Sequence, residues 1–455
     1  MNLSGKNILV IGAGLSGVAA AKVAAGLGAK VTLSDAKDEG QFAEDFSPLR
    51  AMGINTKFGK QEENLLDGVD MLMLSPVVPV KVPIAQAAIK RGIKVTNEVE
   101  LAYALAKSPI AAITGTNGKT TTVTLAGLLL QTKFNKVGVG GNIGIPLSEE
   151  VLRVGEKGAT VAEISSYQME VAADFHPKVA AVLNVTPDHI KRHGSMEVYQ
   201  AMKEKIFMNQ TAEDFLVLNY DDELTRGMKD RAKSQVCYFS GKEELAEGAF
   251  IQDGLLVLKW GGKTYELVSV KELGIKGAHN VLNALAAAAV AFFMGAEPAK
   301  MAKVLKDFKG VEHRIEFTAL VDGVPYYNDS KATNTDSAIK ALETFDGHII
   351  LLAGGDDKGT DLTDFMALVK KKTDALILMG DAAARFKENA LKAGIAAENI
   401  IEAGYSMDKA VQEAKKLAHS GQIVLLSPAC ASFDMYNGFE ERGRDFKRAV
   451  GELAR

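Results

Sequence analysis

The sequence predicts an α/β protein of three successive domains, Rossmann-like at both ends with a P-loop-type α/β domain between them, on three observations. Apolar runs of strand length alternate with helix-length patterns along most of the chain. Two of those runs, residues 6–12 and 110–114, feed glycine-bearing turns that open helices. At 455 residues the chain is also long enough for about three ordinary domains, each with its own core. Such alternation argues for mostly parallel sheets covered on both faces.

In chain order, the strand over 6–12 leads into Gly12-Ala13-Gly14-Leu15-Ser16-Gly17 and a helix running to about Gly28. The next strand, 30–35, ends on Asp35. Glycines for a tight turn, followed about twenty residues on by an acid, fit a dinucleotide-binding βαβ unit. A nicotinamide or flavin cofactor is therefore an open reading of this stretch. Strand runs at 69–75 and 94–97, with a helix between them, complete a first domain over residues 1–97.

The second domain, 98–310, contains Gly115-Thr116-Asn117-Gly118-Lys119-Thr120-Thr121 between an apolar strand and a helix reaching Leu130. Backbone N–H groups at such a helix start, and the helix dipole, favour anions. Lys119 would then contact the β- and γ-phosphates of ATP, and the Thr120 hydroxyl would bind Mg²⁺. Only Thr116 and Asn117 separate Gly115 from the Gly-Lys pair, fewer than in the usual pattern, and a turn of purely structural use is the competing reading. Further strands fall at 136–141, 159–166, 178–185 and 215–219, while 249–268 reads as antiparallel hairpin material with turns at Asp253-Gly254 and Gly261-Gly262. Gly277-Ala278-His279-Asn280 opens an apolar helix over 281–294, interrupted by Asn283. The third domain, 311–455, has strands at 348–353, 375–379 and 423–427 in a second Rossmann-type arrangement without a GxGxxG turn. Its strand ends carry Gly354-Gly355-Asp356-Asp357-Lys358 and Ser427-Pro428-Ala429-Cys430-Ala431-Ser432.

Composition narrows the function classes. A net charge of −4 gives no general affinity for nucleic acid or an anionic membrane, so anionic ligands must be held by local cations and helix ends. Cys237 and Cys430 are too few and too distant for a disulfide framework, and a reducing cytoplasm is expected. The run at 281–294 is too short to cross a bilayer. His189 and His193 have metal-ligand spacing, but Ile190 stands where a zinc hydrolase needs glutamate.

Five strings in order resemble the Mur ligases: 115–121, Glu163-Ile164-Ser165-Ser166-Tyr167-Gln168, Asn184-Val185-Thr186-Pro187-Asp188-His189, Asp329-Ser330-Lys331-Ala332-Thr333-Asn334, and 427–432. The last two resemble the D-glutamate-adding branch in particular. The resemblance implies ATP-driven activation of the carboxylate of UDP-N-acetylmuramoyl-L-alanine to an acyl phosphate, which the amine of D-glutamate attacks. It implies a monomer with no nucleic-acid or membrane partner. It implies two Mg²⁺ sites, with Thr120 and Glu163 at one and His189 and Lys203 at the other, and Lys119 with Glu163, His189 and Lys203 as the catalytic set. A bare lysine beside a metal ion would be repelled by about 4 kcal/mol at 4 Å and an effective dielectric of 20, per unit of charge. In similar enzymes the lysine at the Lys203 position is carbamylated, which removes that conflict. ATP would be held by 115–121 with Asn280, Arg314 and Asp329. The resemblance also moves the first-domain turn from a dinucleotide to the uridine diphosphate part of the substrate, with Leu15, Ser16, Asp35, Asn142, Ser165 and Gln168 in that site. D-Glutamate would be held by Lys331, Thr333, Lys358, Ser432 and Phe439. Two departures stand out: Val77 where the family has glycine, and Lys191 where it often has aspartate.

Overall fold

The computed structural model describes residues 2–42, 44–357 and 359–453, without the side chains of 191 and 336. Lys358 lies outside the described residues, as does the side chain of Lys191. The chain divides into two compact units, Met1–Phe308 and Lys309–Arg455, and it carries three sheets.

The first sheet has five parallel strands in spatial order Asn55–Phe58, Lys30–Asp35, Asn7–Ile11, Met71–Leu74 and Lys94–Asn97. Its middle strand has four buried residues of five, because helices cover both faces. The switch in strand order beside Asn7–Ile11 opens a crevice at the carboxyl ends of the strands, the usual ligand position in such sheets. The strand Asn55–Phe58 had no sequence signal: its alternating exposure places it at the sheet edge, with little apolar content to detect.

The second sheet has nine strands. Seven, Val137–Gly141, Ala159–Glu163, Ile110–Thr114, Val179–Val182, Phe215–Asn219, Gln235–Ser240 and Gly248–Gln252, run parallel, and Leu255–Trp260 and Lys263–Ser269 add antiparallel. The hairpin material expected at 249–268 is thus a meander joined to the parallel sheet through its first strand. Ile110–Thr114 is wholly buried at the sheet centre, and the helix Lys119–Leu130 that follows packs against the apolar helix Ala278–Phe293.

The second unit has a six-stranded sheet in order Glu316–Val321, Val324–Asn328, Ile423–Leu426, Ile349–Gly354, Thr373–Met379 and Ile400–Gly404. All neighbours are parallel except the first pair, a hairpin absent from the sequence reading. Two apolar layers flank the sheet. One is built around Leu351, Leu376, Phe365 and Phe386, the other around Leu352, Ile377, Val424 and Phe446.

Candidate active site

In the first unit the sequence places Gly118 at the N-cap of the helix Lys119–Leu130, with a left-handed φ of 82° that glycine adopts without strain. A Cβ there would lie 2.3 Å from Asn283 Oδ1, so the helix start sits directly on the neighbouring apolar helix. The turn is held open by neutral groups. The Asn184 side chain brackets Asn117, accepting from its N–H at 2.8 Å and donating to its carbonyl at 3.1 Å. Thr116 Oγ1 accepts from the Thr186 N–H at 3.1 Å and lies 3.1 Å from the Tyr199 hydroxyl. Thr122 Oγ1 donates to the Gly118 carbonyl at 2.9 Å.

Lys119 Nζ reaches back over the turn to the carbonyls of Gly115 and Thr116, at 2.7 and 2.8 Å. The cation is held where an anion entering the turn meets it. One residue on, Thr120 Oγ1 donates to Glu163 Oε2 at 2.9 Å, and Asn142 Nδ2 donates to Glu163 Oε1 at 2.9 Å. Glu163 is 2% exposed, so both its carboxylate oxygens are oriented before any ligand arrives. A hydroxyl and a carboxylate beside a helix start form the hard oxygen donor set that Mg²⁺ prefers.

Tyr199 is the hub of the neighbouring cluster. Its buried hydroxyl meets Thr116, its ring stacks obliquely on His193 at 5.5 Å, and Lys203 Nζ lies 4.4 Å from its ring centroid. Burial raises the Tyr199 phenol to about 12, so it stays neutral. Lys203 is 2% exposed, and burial, followed by repulsion from Lys119, holds its ammonium well below the ordinary lysine range. Among the described residues no carboxylate lies within ion-pair distance of Lys203. His189, in a left-handed conformation with φ 55°, starts the short helix Ile190–His193, and its Nδ1 lies 3.0 Å from the Tyr167 hydroxyl.

The first-sheet crevice shows a different economy. Asp35 accepts from the Ala13 N–H at 2.8 Å and from the Lys37 N–H at 3.0 Å, so its carboxylate braces the glycine turn. Leu15 is 76% exposed at the start of the helix Leu15–Gly26, with Ser16 beside it half-buried. Gln168 is buried, its Oε1 accepting from both the N–H and the hydroxyl of Ser165, at 2.8 and 3.0 Å. Asn142, expected with the diphosphate residues, is the same residue that donates to Glu163.

Asn280 stands in the first turn of the helix Ala278–Phe293 and accepts from Asn283 at 3.2 Å, which itself lies 3.3 Å from Thr122 Oγ1. Arg314 and Asp329 are in the second unit. There Asp329 is buried, accepts from the Ser427 hydroxyl at 2.7 Å and from the Ile315 N–H at 3.2 Å, and is raised by burial to about 7. Lys331 Nζ lies 5.9 Å from the Phe439 ring centroid, two residues that the family resemblance places with D-glutamate. Thr333 is half-buried two residues on, its N–H donating to the Lys331 carbonyl at 2.9 Å. Ser432 is 2% exposed on the loop after Ile423–Leu426. Below this cluster the buried Arg442 donates to Ser330 Oγ at 3.0 Å and to the carbonyls of Ser330, Cys430 and Ala431 at 2.9, 3.1 and 2.9 Å.

Sequence reasoning missed Asn184, Tyr199, Asn283 and Arg442 as working residues. Asn283 carried a signal, a polar side chain inside an apolar helix, Asn184 lay inside a string already singled out, and Tyr199 stands four residues before Lys203. Arg442 carried none, since the helix Phe439–Leu453 is rich in charge and reads as solvated.

A phosphate-loop α/β protein with three sheets is the class that this fold and cradle define. Three family models match: the Mur ligase MurD-like N-terminal domain over residues 6–97, the Mur ligase middle domain over 113–291, and the Mur ligase glutamate ligase domain over 313–430. The chain is 44% identical over 455 residues to the UDP-N-acetylmuramoylalanine–D-glutamate ligase of Thermoanaerobacter sp. (strain X514), covering 100% of both chains. It is 47% identical over 448 residues to the enzyme of the same name from Pelotomaculum thermopropionicum, covering 98% of each. The fold is shared with a pseudomurein peptide ligase type C from Methanothermus fervidus, at a TM-score of 0.56 and 19% identity, over 98% of this chain and 100% of that one. It is shared too with UDP-N-acetylmuramate-alanine ligase from Thermotoga maritima, at 0.54 and 21%, over 98% and 99%. The chain belongs to the Mur ligase family.

Proposed function

We propose that this chain joins D-glutamate to UDP-N-acetylmuramoyl-L-alanine at the expense of ATP, in the cytoplasmic synthesis of peptidoglycan precursors. Full-length identity of 44 to 47% with ligases of that name carries the reading, and the Lys119–Thr120–Glu163 cradle supports it chemically. Residues 1–97 take the uridine diphosphate end of the substrate, 98–310 take ATP, and 311–455 take the amino acid. The protein acts as a monomer on small molecules.

The turn 115–121 receives the triphosphate on backbone N–H groups, and Lys119 exchanges its two carbonyl partners for phosphate oxygens. Thr120 and Glu163 would hold one Mg²⁺ and His189 with Lys203 a second, which together would neutralise charge on the transferring phosphoryl group. Glu163 is kept in one orientation by Asn142, so little reorganisation is needed when that ion binds. Lys203 would serve as its carbamate: its unprotonated amine adds to the carbon of carbon dioxide, the proton lost from nitrogen passes to water, and an anionic carbamate remains. The substrate carboxylate then attacks the γ-phosphoryl group, ADP leaves, and the amine of D-glutamate displaces phosphate from the acyl carbon. Asn280, Arg314 and Asp329 hold the nucleotide, while Leu15, Ser16, Asp35, Asn142, Ser165 and Gln168 serve the uridine diphosphate end. Lys331, Thr333, Lys358, Ser432 and Phe439 hold D-glutamate, whose two carboxylates match the two lysines.

Incubation with ATP, Mg²⁺, UDP-N-acetylmuramoyl-L-alanine and D-glutamate should release ADP only when both co-substrates are present. ADP release that ignored D-glutamate would contradict the ligase reading, and spectral binding of NADH would favour the dinucleotide reading of the first-domain turn.

A further inference from the structure

Arg192 has no part in the chemistry above, yet every donor of its guanidinium fork lies among built partners. Nε and Nη2 donate to the Glu170 carboxylate at 2.7 and 2.9 Å. Nη1 donates to the Val77 carbonyl at 3.2 Å, and Nη2 to the carbonyls of Pro76 and Val78 at 3.4 and 3.2 Å. The side chains of Arg192 and Glu170 are 15% and 12% exposed, so this is a largely dehydrated, charge-assisted set. The planar guanidinium also lies 4.8 Å from the Tyr167 ring centroid.

These contacts join two pieces of machinery. Residues 76–78 follow the first-sheet strand Met71–Leu74 at its carboxyl end, and their far side is fixed by the glycine turn. Ser75 donates its N–H to the Ile11 carbonyl at 2.8 Å, and a Cβ on Gly12 would come within 2.6 Å of Ser75 Cβ and 2.9 Å of Val78 Cγ2. The turn is thus clamped between the first-domain glycine turn and a side chain of the second domain. Arg192 itself lies in the short helix Ile190–His193 that His189 caps, and Tyr167, against its guanidinium, meets His189 Nδ1 at 3.0 Å.

We propose that Arg192 is a positioning residue that sets the 76–78 turn for the uridine diphosphate part of the substrate and, through Tyr167, holds His189, coupling first-domain binding to the geometry of the phosphoryl site. This rests on the diphosphate reading of the first-sheet crevice. Val77, 72% exposed where similar enzymes carry glycine, makes the anchoring of this turn by its carbonyls more consequential here, since a side chain now projects at the turn's tip.

The test compares wild type with Arg192→Ala and Arg192→Lys by calorimetric binding of UDP alone and by separate KM and kcat values for the uridine substrate and for ATP. Arg192→Ala should weaken UDP binding and raise KM for the uridine substrate on the order of tenfold, the effect of one lost charge-assisted hydrogen bond, with a reduced kcat. KM for ATP should stay within about twofold. Arg192→Lys should fall between, because an ammonium can serve the carbonyls but not the bidentate Glu170 pair. If the alanine variant fails to fold, the lysine variant carries the same test. Unchanged UDP affinity and KM in a folded variant would overturn the proposal and leave the crevice reading standing. Absence of UDP binding to wild type would remove the crevice reading and the proposal with it.

Discussion

The phosphate turn of the first unit and the Asp329 cluster of the second are both buried polar assemblies, built in opposite ways. Around the turn, amides and hydroxyls of Asn184, Thr116, Thr122 and Tyr199 hold the backbone, and Lys119 and Glu163 are placed for a ligand. Around Asp329, ionisable side chains do the structural work. Asp329 is held by Ser427 and Ile315 with its acid raised to about 7, and Arg442, lowered by burial to about 10, ties together three segments of chain. The first arrangement keeps charge for chemistry, so losing it should spare the fold. The second makes stability depend on protonation.

The sharpest break of that contrast is Lys119→Ala. Removing a fixed cation from the phosphoryl site should lower turnover on the order of 10²- to 10³-fold with little change in melting temperature; a variant that melted early would erase the distinction. Lys203→Ala comes next, with a loss of about ten- to hundredfold, as for other groups that support a metal site. Short carboxylic acids added to that variant should restore part of the rate, since they replace the carbamate, and no recovery in a folded variant would refute carbamylation.

Asp329→Asn sharpens the other half. Because the folded acid titrates near 7, above its unfolded value, its contribution is fully present below the unfolded pKa and is lost as pH rises through the folded one. Between pH 5 and pH 8 the wild type should therefore lose about 2 kcal/mol relative to the asparagine variant, read as a difference in denaturant midpoints at the two pH values. Equal pH dependence in the two proteins would show that Asp329 is ionised at ordinary cost.

The three-sheet plan was legible because central strands such as 110–114 and 349–354 are continuous apolar runs between turn signals, which buried parallel strands must be. Two edge strands were not: Asn55–Phe58 and Glu316–Val321 are largely half-buried or exposed and bear mixed residues. The expected helix at 281–294 begins three residues earlier, at Ala278, since Gly277 rather than the first apolar residue starts it. In the site, residues whose role is local were readable, Gly118, Lys119 and Thr120 above all, because a helix start dictates their geometry within one turn of chain.

By itself, then, the sequence determined where glycine, lysine and threonine meet a strand-to-helix junction, a local geometry that suits phosphate. Only the tertiary structure decided which distant groups serve that turn: Glu163 beside Thr120, Tyr199 between Thr116 and Lys203, and Arg192 against the carbonyls of 76–78. The reason is physical. Backbone geometry over a few residues follows from local propensity, whereas the burial that lowers Lys203 and raises Asp329 arises only when segments far apart in sequence exclude water together.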